Sequence, residues 1–133
     1  MSIDALAAFE SAVLAHAPPG AVVVGASISP DGHYGAALTL LPTAGYLMDD
    51  LFRHELDRWE TDAGGSGGGI SWSALGEEGR GVLRYGEEAP EGASAALVRY
   101  EGRQHRVPVR HGHFLFVVWD TSFAGNPSLI GFD

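Results

Sequence analysis

The chain has 133 residues, 45% apolar and 19% charged, with no cysteine and no lysine. That is length enough for one domain with a core of its own, and it excludes disulfides, thiol nucleophiles, cysteine-based zinc or iron–sulfur sites, Schiff-base lysines and a Walker lysine. The formal net charge of −9 argues against general nucleic-acid binding, which depends on neutralising phosphates.

The charge is uneven. Residues 1–62 hold nine acids against two arginines, a sum of −7, and residues 63–133 hold eight acids against six arginines, a sum of −2. At the N-terminus Asp4 and Glu10 interrupt the apolar residues and no basic cluster precedes them, so no secretory signal is read there. No stretch has the length and polarity of a membrane span. The expectation is a soluble, cytoplasmic protein.

Residues 2–16 are predicted as a helix. Ile3, Leu6, Phe9, Val13 and Leu14 recur at helical spacing, Ser2 can cap the start, and Pro18-Pro19-Gly20 stops it. Residues 21–29 and 33–41 are predicted as a hairpin around Ser29-Pro30-Asp31-Gly32. There proline presets φ and glycine takes the left-handed position. This turn resembles one that recurs in β-propeller blades, but it occurs once and no repeat follows.

Residues 46–60 are predicted as a second helix. Leu47, Met48, Leu51, Phe52, Leu56 and Trp59 line one side, and Asp49/Arg53 and Glu55/Arg58 have the spacing of ion pairs. Its other side, with Asp49, Asp50, Glu55 and Asp57, is the expected partner-binding face.

Gly64 to Gly69 is an unbroken run of glycine and serine. A glycine-rich loop over 63–69 is expected, joining a helix–hairpin–helix part (1–62) to a β-sandwich part (70–133) within a single domain. The run spells a nucleophile elbow by letter, but the elbow needs a strand before it and a helix after it. It also has P-loop glycine spacing, with Ile70 where lysine should stand.

Beyond the loop the period becomes two. Strands are predicted at 70–75, 80–86, 94–101, 104–109, 113–119 and 128–132, with turns at Gly76–Gly79, Pro90–Gly92, Glu101–Gly102, His111–Gly112 and Gly125–Pro127. Phe114–Trp119 is the longest run of large apolar residues and anchors a core. The series Val98-x-Tyr100-x-Gly102, Val107-x-Val109-x-x-Gly112-x-Phe114 and Ile130-Gly131-Phe132-Asp133 resembles the final hairpins of bacterial immunoglobulin-like sandwiches. The resemblance implies a fold and no activity. The expected class is therefore α+β: two helices plus a mainly antiparallel β-sandwich whose C-terminal part is immunoglobulin-like.

Candidate chemistry is sparse. His111-x-His113, with His105 on the partner strand, is the one histidine set that invites a metal. Arg80, Arg84, Arg99, Arg103, Arg106 and Arg110 do not share one strand parity, and interleaved glutamates suit cross-strand pairing. Asp49-Asp50, Glu77-Glu78 and Glu87-Glu88 are adjacent pairs, which diverge on regular elements, whereas acid/base catalysis needs convergence. No catalytic residue and no cofactor is assigned. The expected function is a non-enzymatic protein-interaction or accessory module with a protein partner, no nucleic acid and no membrane, and an edge strand able to make a homodimer. The alternatives are an acidic inhibitor or immunity-type protein against a basic nuclease or toxin, and a metal-binding protein or enzyme using His105, His111 and His113.

Overall fold

The computed structural model describes residues 3–42, 47–67, 72–75, 81–121 and 127–133. The chain divides into two compact units, Met1–Gly68 and Gly69–Asp133. The expected Ser2 cap and the turns at Gly76–Gly79 and Gly125–Asn126 lie outside the described residues.

In its described residues the first unit is one helix on an antiparallel meander. Helix α1 (Ile3–Ala15) precedes β1 (Val22–Ile28), β2 (Tyr34–Leu40), β3 (Leu47–Glu55) and β4 (Arg58–Gly67), and the sheet order is β1-β2-β3-β4. Phe9 and Val13 of α1 are fully buried against Val23, Ile28, Ala37 and Phe52. The Phe9 ring meets Phe52 edge-on, centroids 5.5 Å apart, and Trp59 at 4.5 Å. Gly35 on β2 makes this packing possible. A Cβ there would lie 2.5 Å from the Phe9 ring, so only glycine lets the phenylalanine reach the sheet.

The β1–β2 turn forms on the residues that signal it. Ser29 Oγ donates to Asp31 Oδ1 at 2.6 Å, which also accepts from the His33 amide at 3.1 Å, and the Tyr34 amide donates back to Ser29 Oγ at 3.0 Å. Gly32 supplies the left-handed φ of 79°. At the end of α1, His16 Nδ1 donates to the Ala12 carbonyl at 2.8 Å, capping one of the helix's terminal acceptors.

One expectation is overturned. The described residues contain one helix, not two, so the two-helix α+β class does not hold. Of the interval 46–60, the described residues 47–60 are β3, a turn at Leu56-Asp57, and the start of β4. Apolar doublets every four residues, Leu47-Met48 and Leu51-Phe52, fit one side of a helix. They equally fit a strand with an apolar residue on each face. The pairing of β2 decides between them. Its backbone needs a partner on the side away from β1, and β3 supplies it in register from Tyr34↔Arg53 to Leu40↔Leu47. The ion pairs follow the strand period: Arg53 with Glu55 at 3.3 Å and Arg58 with Glu60 at 3.6 Å. Residues 63–67, expected as loop, continue β4, with Asp50↔Gly64 and Asp49↔Gly65 in register.

The described elements of the second unit are antiparallel strands: β5 (Trp72–Leu75), β6 (Gly81–Glu88), β7 (Ala95–Tyr100), β8 (Arg103–Pro108), β9 (His113–Thr121) and β10 (Ser128–Phe132). They form two sheets, β5-β6-β9 and β10-β7-β8. A single core draws Leu83, Tyr85, Phe114 and Phe116 from the first sheet and Ala96, Val98, Tyr100 and Val107 from the second. Each large side chain buried there contributes ~1.5–3 kcal/mol. The β7–β8 and β8–β9 connections are two-residue turns at Glu101–Gly102 and His111–Gly112, with positive φ at all four residues.

Candidate functional site

The first unit carries an open groove of about 570 Å³ between α1 and the sheet's turn-bearing end. Its helical wall is Ala5, Ala8, Ala12 and Ala15, spaced three and four apart so that they share one helix face. This face lies beside the Phe9–Val13 face that enters the core, and it presents only methyl groups. The opposite wall comes from the two hairpins: Ile28 and Gly32 from β1–β2, and His54, Asp57, Arg58 and Trp59 from β3–β4.

Packing holds that second wall in place. His54 stacks on Trp59 at 4.4 Å with the rings 13° apart, while Phe9 meets Trp59 as well. The His54 amide donates to the His33 carbonyl at 2.8 Å, which ties the two hairpins together. His16 lines the groove beyond Ala12 and lies edge-on to Phe52 at 5.8 Å.

Next to the groove-lining Asp57 is Leu56, which is 88% exposed and has φ 51°. Two-residue turns with positive φ at both positions favour Asn-Gly or Asp-Gly. A leucine there carries the steric cost of the left-handed region, ~1–2 kcal/mol, and buries almost nothing in return.

The acids expected on one helical face are distributed differently. Asp49 and Asp50 are consecutive on β3, so they point to opposite sides of the sheet, and Asp50 is only 7% exposed. Glu55 pairs with Arg53, and Asp57 lies in the turn at φ 60°. Of the four, Asp57 alone lines the groove.

The histidines do not come together as a ligand set. His105 packs against Phe116 at 5.0 Å, His113 Nδ1 donates to the His111 carbonyl at 3.1 Å, and His111 sits exposed in its turn. Among the described residues no three His, Asp or Glu side chains are placed to hold a metal ion. The arginines disperse likewise: Arg84 is buried, Arg106 pairs with Asp133, and Arg80 lies outside the described residues. Tyr85 donates its hydroxyl to Glu87. Burial of the ring, then that hydrogen bond and the charge of Glu87, push its pKa well above the ordinary phenol value. It stays protonated and is no nucleophile at neutral pH.

The groove was not anticipated from the sequence, although half of its signal is there: alanines at 5, 8, 12 and 15 can be read as a face. The other half was hidden, because the second wall exists only once 47–67 is a hairpin. No helix among the described residues is long and apolar enough to cross a membrane. No protein-family model, no curated protein and no solved structure matches the chain.

Proposed function

We propose that the protein is a non-enzymatic interaction module whose partner docks at the groove of the first unit, with Leu56 as an anchor. One observation carries this reading: a leucine that is 88% exposed, held in the left-handed region, next in the chain to Asp57, which lines an open apolar groove. A leucine that buries almost nothing in its own fold keeps its apolar area available to bury against a partner, worth ~1.5–3 kcal/mol if fully covered. The test is capture of binding proteins from source-cell lysate by the tagged full chain and by Leu56→Ser. A stoichiometric partner held by the parent chain and lost by the variant supports the reading, and a partner held equally by both ends it.

The second unit, on this reading, is an immunoglobulin-like sandwich that serves as scaffold. Its strand order supports this. Matched to immunoglobulin strands in chain order, β5-β6-β9 corresponds to A-B-E and β10-β7-β8 to F-C-C′.

A second reading, an acidic inhibitor of a basic nuclease or toxin, draws on the −7 carried by residues 1–62. Its test is inhibition of such an enzyme encoded beside the gene, and the absence of inhibition removes it.

A further inference from the structure

We infer that the occupant of the groove is a basic amphipathic helix of a partner protein, laid along the alanine face of α1; this rests on the interaction reading above. The shape argument comes first. The lining alanines run from residue 5 to residue 15, a length of ~15 Å at 1.5 Å per residue. Side chains reduced to methyl groups let a second helix approach at the short end of the 8–10 Å range of interaxial distances. The groove's far wall, with Ile28 and Trp59, then receives that helix's apolar side chains.

Charge selects among possible occupants. The first unit's two arginines are each held by a glutamate, Arg53 by Glu55 and Arg58 by Glu60. Asp57 and Arg58 both line the groove, Arg58 sharing its charge with Glu60; Asp4 and Asp31 are the chain neighbours of the lining Ala5 and Gly32, and residues 1–62 sum to −7, so the field over the groove is negative. A second copy of this chain would bring the same negative face and be repelled. An anionic membrane or a nucleic acid meets the same objection. A helix with apolar residues on one face and lysine or arginine on the other satisfies groove and field together.

The probe is a synthetic helix-forming peptide of about five turns, ~18 residues, with leucines on one face and lysines on the other. Two controls accompany it: the same peptide with glutamate for lysine, and one with the leucines scattered around the helix. Each is titrated into the full chain by calorimetry at ~50 mM and ~300 mM salt. The lysine peptide is expected to bind, at least ~10-fold more weakly at the higher salt, while neither control binds. Ala8→Trp, which fills the groove from an exposed helix position, is expected to abolish binding with circular dichroism unchanged. Asp57→Lys is expected to weaken it several-fold.

Equal binding of the lysine and glutamate peptides overturns the inference, as does binding indifferent to Ala8→Trp. A dimer by sedimentation that Ala8→Trp dissociates assigns the groove to a second copy and also overturns it. If the lysine peptide gives no heat while lysate capture still depends on Leu56, the helix inference fails and the interaction reading stands. If capture is also indifferent to Leu56, both fail.

Discussion

Both units use hairpins closed by two residues with positive φ, yet they meet that geometry differently. In the second unit each such turn ends in glycine, Glu101–Gly102 at φ 50° and 76° and His111–Gly112 at 52° and 78°. In the first unit Leu56–Asp57 adopts 51° and 60° with no glycine at all. The second unit's turns are therefore locally favoured, and its strands pair where their own turns direct them. The β3–β4 turn is held instead by what its strands gain: nine paired residues from Leu47↔Gly67 to Glu55↔Arg58, and the packing of Phe52 and Trp59 against Phe9. Where local preference and tertiary pairing disagree, the larger sum of burial and backbone hydrogen bonds wins. The residue that violates the local rule is the one we assign to a partner.

Four experiments test this contrast. The largest effect is expected at the first unit's core, where Phe9→Ala should cost ~3–5 kcal/mol by urea unfolding. A cost near that of a surface change would mean that α1 does not hold the sheet. Next is Gly35→Ala, whose Cβ cannot coexist with the Phe9 ring and should cost ~1–3 kcal/mol as an overpacked site. Combining it with Phe9→Leu should recover part of that loss, and strict additivity of the two would refute the contact.

The third experiment tests the turn directly. Replacing Leu56-Asp57 by Asn-Gly should stabilise the protein by ~1–2 kcal/mol and raise its melting temperature, while removing the anchor for the partner. No gain in stability would show that Leu56 is not a strained position.

The smallest effect concerns pH. Tyr85 has a raised pKa in the folded protein, so folding favours the protonated phenol. That contribution is complete below the unfolded tyrosine pKa of ~10 and is lost as pH rises above it toward the folded value. Stability should fall above about pH 10, and Tyr85→Phe should fall less steeply. Identical alkaline limbs for the two proteins would remove the Tyr85–Glu87 bond from the account.

Local sequence specifies the helix at 3–15, the hairpin around Ser29–Gly32 and the strands described from residue 72 onward. In each of these, periodicity and turn chemistry point the same way: Pro18-Pro19 ends the helix, Asp31-Gly32 makes the turn, and glycine follows Glu101 and His111. Residues 47–67 were settled by long-range pairing. Apolar doublets at helical spacing satisfy two templates, and no residue pair at 56–57 announces a turn. The choice fell to the unpaired edge of β2, a long-range demand that local sequence does not encode. The candidate site followed the same division. Its alanine face is written in one helix, but its opposite wall of His54, Asp57 and Trp59 comes into being when β3 and β4 pair, because only a hairpin brings those side chains back over α1.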